Sequence, residues 1–160
     1  MLVYHRCAVA ARNPCCVPDS EEAIVTKTFM QMVGEAQQAV PAVSPEETRR
    51  RIDEDPDTLV IDVRDEASIR ASGTIPGAAA ISAGSLLYKA DNEVPEAWRD
   101  ARLADRSRPI ITQCDLGPLS AIAAKNLKEV GFTNVSYLEG GIQGWKQAGL
   151  PTESLPDSDA

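Results

Sequence analysis

Apolar residues recur along this chain with two periods, one typical of helices and one typical of short buried strands. Helical spacing of apolar residues runs from residue 21 to residue 40, where Pro41 ends the pattern. Ser44 followed by Pro45 and Glu47 has the residues of a helix start, and predicts a second helix to about residue 53. Short apolar runs with the length of buried strands occupy residues 59–63, 79–81, 110–112 and 135–138.

Further helices are expected at residues 66–71, 94–102, 120–130 and 142–148. Strands that alternate with helices at this spacing predict an α/β protein with three layers. Its centre would be a mainly parallel sheet of about five strands, with helices on both faces. In such a sheet, the loops at the carboxyl ends of the strands carry the functional site.

The chain divides into four predicted segments. Residues 1–20 lack periodicity and are expected to form a flexible tail, and residues 21–41 form an amphipathic helix packed on the main domain. Residues 42–151 form that domain. Residues 152–160 are polar and acidic and form a C-terminal tail. Trp145 is expected to be an anchor of the core in the last helix.

The composition narrows the function classes. A formal charge of −8 argues against nucleic-acid binding, which needs clustered Lys and Arg. No apolar stretch approaches the roughly 20 residues of a membrane span. The four cysteines, at positions 7, 15, 16 and 114, do not form the pattern of a disulfide framework, which favours a reducing compartment. We therefore expect a cytoplasmic monomer that binds neither nucleic acid nor membrane.

Cys114 is the leading candidate for chemistry. It follows the apolar run at 110–112 and precedes a short Gly/Pro loop and an Ala-rich helix. Backbone amides in such a loop and the positive end of the helix dipole stabilise a thiolate or an anion bound on the sulfur. A lone cysteine at the end of a strand is, however, more often a small buried apolar residue.

Three separated motifs resemble the rhodanese-like (sulfurtransferase) family over roughly residues 42–151. They are residues 59–64 with the turn at 72–78, the Cys114 loop, and residues 138–151 with two adjacent glycines and Trp145. The resemblance implies a rhodanese-like fold and a Cys114 thiolate that takes sulfane sulfur from thiosulfate or a persulfide. A thiol, cyanide or a sulfur-carrier protein would then accept that sulfur. It implies no metal and no organic cofactor.

The remaining site predictions surround this cysteine. The backbone of Asp115, Leu116, Gly117, Leu119 and Ser120 is expected to cradle the persulfide, whereas Pro118 has no N–H to offer. Ser120 is interpreted as the helix N-cap. Asp62 and Arg64 are expected to form a structural salt bridge that supports the loop.

The loop departs from the family pattern at two positions and the turn before it at a third. Leu119 stands where the family has Arg, Asp115 adds a negative charge beside the cysteine, and Thr74 replaces the turn His. The first two changes disfavour a dianionic donor such as thiosulfate. His5 is the only histidine in the chain, so a Cys–His pair within the domain is not expected.

The sequence bears on two other functions. A rhodanese-like module with weak or no activity, used for partner binding or redox sensing, is the alternative that Asp115 and Leu119 leave open. A related phosphatase or arsenate reductase needs a longer loop that ends in Arg to clamp a tetrahedral oxyanion. The Cys114 loop has neither feature.

Overall fold

The computed structural model describes residues 26–155, in which six helices surround one five-stranded sheet. The strands are β1 (Ala42–Val43), β2 (Leu59–Asp62), β3 (Ala79–Ala80), β4 (Ile110–Gln113) and β5 (Val135–Leu138). The helices are α1 (Phe29–Ala39), α2 (Pro45–Glu54), α3 (Glu66–Ser72), α4 (Ala83–Ala90), α5 (Pro118–Glu129) and α6 (Gly141–Gln147).

The sheet is parallel throughout and has the strand order β1-β5-β4-β2-β3. The predicted three-layer α/β fold is therefore confirmed. Strand β4 lies between β5 and β2, so the residue that follows it, Cys114, emerges in the middle of the carboxyl edge. Loops from the neighbouring strands reach that position from both sides.

Alternation of side chains along the strands builds the two cores. Ile61 and Ile110 face the cluster that includes residues of α1, α4 and α5, while Val60 and Ile111 face the cluster that includes α6. Trp145 of α6 is fully buried in the second cluster, and its Nε1 donates to the carbonyl of Pro151 at 2.7 Å. The prediction that Trp145 anchors the core is confirmed.

Helix α1 is shorter than the predicted helix at residues 21–40. It begins after Thr28, whose hydroxyl accepts from the amide of Gln31, while the Gln31 side chain accepts from the amide of Thr28. This reciprocal capping fixes the start of the helix. Residues 21–25 lie outside the described part of the chain, as do the tail at 1–20 and residues 156–160. Phe29 and Met32 belong to the apolar spacing that predicted this helix, but both are exposed, so the buried face is narrower than that spacing indicates.

The region from residue 82 to residue 104 differs most from the prediction. Helix α4 was missed, and two 3₁₀ turns, Glu96–Trp98 and Ala101–Leu103, replace the helix predicted at 94–102. The amide of Asp100 donates to the carbonyl of Lys89 at 3.0 Å instead of continuing a helix. Its carboxylate then caps the second turn by accepting from the amide of Arg102.

Strand β1 was also missed, because two residues carry no readable period. The start of α2 agrees with the prediction, since the Ser44 hydroxyl accepts from the amide of Glu47 at 3.2 Å. The Glu47 carboxylate does not complete a capping box. It is hydrogen-bonded by Arg50 and Arg51, which lower its pKa to about 2.

The packed domain extends beyond the predicted boundary at residue 151. Thr74 and Glu153 exchange two backbone hydrogen bonds, of 2.8 and 2.9 Å, in an antiparallel bridge. The Glu153 carboxylate also accepts from the amide of Gly77 at 2.8 Å. The acidic C-terminal segment is therefore joined to the turn that follows α3. None of the helices within residues 26–155 is long and apolar enough to cross a membrane.

We expect a chain that ends at Thr152 to lose about 1–2 kcal/mol of unfolding free energy, because it lacks the bridge to Thr74. Urea denaturation of both chain lengths measures the difference. A chain that ends at Leu155 keeps the bridge and serves as the control. Equal stability of the two shortened chains would show that the bridge contributes nothing.

Candidate active site

Cys114 lies directly after β4 and is only 4% exposed. The chain then turns into α5 through Gly117, which is the N-cap and has φ +107°, a conformation that favours glycine. The Gly117 amide donates to the Cys114 Sγ at 3.1 Å. Of the loop amides predicted to surround the thiol, that of Gly117 is the one with a hydrogen bond to the sulfur within residues 26–155.

The N-terminus of α6 packs against the Cys114 loop. The amide of Ile142 donates to the carbonyl of Cys114 at 2.8 Å, and the amide of Gln143 donates to that of Asp115 at 3.2 Å. Gly141 has φ +56°, and a Cβ there would lie 2.5 Å from the Cys114 carbonyl oxygen. Glycine is required at this position because the two backbones are in direct contact.

The side chains of the loop point in different directions. Asp115 accepts from Gln143 Nε2 at 3.0 Å, and Leu116 is 64% exposed. Leu119 is 37% exposed. Ser120 is buried in the first turn of α5 and donates to the carbonyl of Gly117 at 2.8 Å. The prediction that Ser120 is the N-cap is wrong, because the helix starts earlier and its hydroxyl donates backward.

The predicted pair of Asp62 and Arg64 is present and buried. Arg64 Nε and Nη2 donate to the two carboxylate oxygens of Asp62 at 2.9 and 2.6 Å. Arg64 also donates to the Ser72 hydroxyl at 2.6 Å and to the Gly73 carbonyl at 2.8 Å. The pair ties the end of β2 to the end of α3, and Asp62 neutralises the guanidinium charge.

A buried chain of hydrogen bonds connects this pair to the residue before the cysteine. Thr74 donates to Asp62 Oδ2 at 2.8 Å, and Gln113 Nε2 donates to the Thr74 hydroxyl at 3.3 Å. Sequence reasoning missed Gln113. Its signal was a polar amide at the end of an otherwise apolar run, at a position that the fold fully buries.

A cavity of about 390 Å³ adjoins the loop and is bounded by the ends of β2, α3 and α4. Its lining includes Val63, Arg64, Asp65, Ser68, Ala83, Asp115 and Leu119. Asp115 and Leu119 of the Cys114 loop line the cavity, whereas Cys114 itself does not. Among the residues that the structure describes, no group of three His, Cys, Asp or Glu side chains is arranged to hold a metal ion.

The fold and the site define an α/β domain that presents one buried cysteine in a backbone loop at the carboxyl edge of a parallel sheet. The family model of the rhodanese-like domain matches residues 44–148, and the chain belongs to that family. Curated relatives include the thiosulfate sulfurtransferase GlpE of Actinobacillus succinogenes, with 42% identity over 50 residues. That alignment covers 31% of this chain and 45% of the relative, so it spans less than half of that protein.

Solved structures resemble most of the described domain. A protein of unknown function from Rhodopseudomonas palustris, described as a possible tyrosine phosphatase, is 26% identical with a TM-score of 0.75, and the match covers 81% of this chain and 96% of that one. The polysulfide-sulfur transferase homodimer of Wolinella succinogenes is 27% identical with a TM-score of 0.62, covering 82% and 91%. The human single-domain sulfurtransferase TSTD1 is 25% identical with a TM-score of 0.59, covering 68% and 96%.

Replacement of Gly141 by Ala should destabilise the domain and displace the Cys114 loop. The positive φ alone costs about 1–2 kcal/mol, and the overlap with the loop backbone adds about 1–3 kcal/mol. Urea denaturation and the rate of Cys114 alkylation by iodoacetamide measure the two effects.

Gly149→Ala is the matched control, because Gly149 has φ +72° but a Cβ added there would have no atom within 4 Å beyond its chain neighbours. It should show the cost of backbone strain without a change at Cys114. Equal effects of the two variants would contradict a role for the close contact.

Proposed function

We propose that this protein is a sulfurtransferase that carries sulfane sulfur as a persulfide on Cys114. The observation that carries the proposal is the 3.1 Å hydrogen bond from the Gly117 amide to the Cys114 sulfur, in a loop beside a cavity. An amide donor at the sulfur stabilises negative charge there. Family membership and relatives named as thiosulfate and polysulfide-sulfur transferases support the same chemistry.

The reaction has two balanced displacements. In the first, the Cys114 thiolate attacks the outer sulfur of a donor persulfide, a new S–S bond forms, and the old S–S bond breaks. Its electron pair leaves on the donor thiolate, and the proton stays on the transferred sulfur. In the second, an acceptor thiolate or cyanide attacks that sulfur, and Cys114 leaves as a thiolate. No oxidant and no cofactor is needed.

The charges at the cavity favour an organic persulfide donor over thiosulfate. Arg64 lines the cavity, but Asp62 neutralises its charge through two hydrogen bonds. Leu119 occupies the loop position at which the family pattern has Arg, and Asp115 is an acidic residue of the cavity lining. Thiosulfate carries two negative charges, and these residues offer no compensating cation.

Phosphate chemistry fits the loop poorly, although one structural relative is described as a possible tyrosine phosphatase. Binding of a tetrahedral phosphoryl dianion requires a guanidinium at the end of the loop. The loop from Cys114 to Ser120 contains no basic residue. The same loop needs only backbone donors to hold a persulfide.

Intact-mass spectrometry tests the proposal. After incubation with glutathione persulfide or polysulfide, the protein should gain about 32 Da per transferred sulfur atom, the mass of one sulfur. Peptide mapping should place it on Cys114, and a thiol acceptor should remove it. Cys114→Ser should abolish this transferable sulfur. If no donor adds sulfur to Cys114, the domain is a rhodanese-like module without sulfurtransferase activity.

Leu119→Arg should restore the use of thiosulfate. A guanidinium at the cavity would bind the sulfonate end of the donor, and we expect the rate of thiocyanate formation from thiosulfate and cyanide to rise about tenfold or more. Leu116→Arg is the control, because it adds the same charge at an exposed loop residue that does not line the cavity. An unchanged rate in Leu119→Arg would contradict the electrostatic explanation.

A further inference from the structure

We infer that Gln143 is a positioning residue that holds the Asp115 carboxylate at the cavity, and that this pair selects sulfur donors and acceptors by charge. The pair disfavours anionic reactants and favours neutral or cationic ones, such as aminothiols and their persulfides. The inference rests on the proposed function of Cys114 and names the reactant class for that site. Neither residue acts on the sulfur directly.

Gln143 holds Asp115 at two points. Its side-chain Nε2 donates to Asp115 Oδ1 at 3.0 Å, and its backbone amide donates to the Asp115 carbonyl at 3.2 Å. Both bonds come from the first turn of α6, which the buried Ile142 and Trp145 fix against the sheet. The carboxylate beside the reactive cysteine is therefore held by a rigid element.

The chemistry of the holding group matters as much as its geometry. A Lys or Arg at position 143 would bond the carboxylate and also cancel its charge. The amide of Gln143 is a neutral donor, so it orients Asp115 and leaves the negative charge in place. Asp115 is exposed, so its charge repels an incoming anion through a partly solvent-screened interaction that salt weakens further.

The other charged groups at the cavity do not reverse this field. Arg64 and Asp65 line it together with Asp115, and Arg64 is paired with Asp62. Lys146 of α6 lies nearby, with its ammonium hydrogen-bonded to the carbonyl of Ser72, a cavity residue. Asp62 offsets Arg64, so the two carboxylates of Asp65 and Asp115 outweigh the ammonium of Lys146. The net charge of these five groups is therefore negative.

Paired alkylating reagents test the charge selection without sulfur transfer. The Cys114 thiolate displaces iodide from iodoacetate and from iodoacetamide alike, but only iodoacetate is an anion. The full chain is treated with each reagent, and the rate at Cys114 is followed by peptide mass spectrometry. Asp115→Asn should raise the rate ratio of iodoacetate to iodoacetamide about 3–10-fold, and high salt should shrink that change.

Glu129→Gln is the matched control for net charge. Glu129 is at the far end of α5, roughly 16 Å along the helix from its first residue, and pairs with Lys125. The substitution removes the same formal charge and should leave the ratio unchanged. An unchanged ratio in Asp115→Asn, or an equal rise in Glu129→Gln, would overturn the inference.

Gln143→Met tests the positioning role, because methionine has a similar length and no amide. The variant keeps the negative charge of Asp115 but lacks the hydrogen bond that orients its carboxylate. The rate ratio of iodoacetate to iodoacetamide should therefore rise by less than in Asp115→Asn. Gln143→Met should add nothing further in the Asp115→Asn background. A role of Gln143 in structure alone would slow or speed both reagents equally, and that result would contradict the inference.

Acceptor thiols extend the test to the reaction. With a Cys114 persulfide formed on the full chain, sulfur transfer to cysteamine should exceed transfer to mercaptoacetate after correction for their thiolate fractions, and Asp115→Asn should narrow that gap. If no donor loads Cys114 with sulfur, the proposed function is overturned, while the alkylation result stands. Loading of Cys114 together with an unchanged alkylation ratio would overturn the charge selection alone.

Discussion

The contact between the N-terminus of α6 and the Cys114 loop organises the site. The carbonyls of Cys114 and Asp115 accept from the first amides of α6, and Gly141 lets the two backbones meet. A peptide group is planar, with its N–H opposite its C=O. A carbonyl fixed toward α6 therefore turns the amide of the next residue away from α6. The directions of the Asp115 and Leu116 amides follow from this contact, and the next amide, that of Gly117, donates to the sulfur.

The fold supplies a guanidinium, that of Arg64, at the cavity beside the Cys114 loop, but its charge is used within the structure. Arg64 binds Asp62, Ser72 and Gly73, and the buried chain through Thr74 extends this support to Gln113. Burial of a charged pair is tolerated only when its hydrogen-bonding groups are satisfied. The hydrogen bonds that stabilise Arg64 also occupy its guanidinium, so Arg64 does not serve as an anion-binding group. The negative charge at the cavity therefore comes from Asp65 and Asp115.

The sequence-based predictions succeeded where one physical signal dominated. Runs of buried apolar residues located β2, β4 and β5, and the capping residue Ser44 located the start of α2. They failed where tertiary contacts compete with local pattern. The bond from Asp100 to Lys89 breaks a helix-like segment into 3₁₀ turns, and the bridge from Glu153 to Thr74 holds a segment that carries no core pattern. At the site, the cysteine and the Asp62–Arg64 pair were predicted. Gln143 and Gln113 were not, because their partners, Asp115 and Thr74, are distant from them in sequence.

The separation of core and loop explains how charge preference can change without loss of the fold. The two apolar clusters are built by alternating strand residues and by Trp145, and neither depends on the side chains of Asp115 or Leu119. The backbone of the loop is fixed by Gly117, Gly141 and the amides of α6. Substitutions at Asp115 and Leu119 can therefore alter the field at the sulfur while its amide donor stays in place. Leu119, five positions after the cysteine, contributes no charge, and Asp115, directly after it, contributes a negative one. In the sulfur transfer proposed above, this field would favour reactants without negative charge.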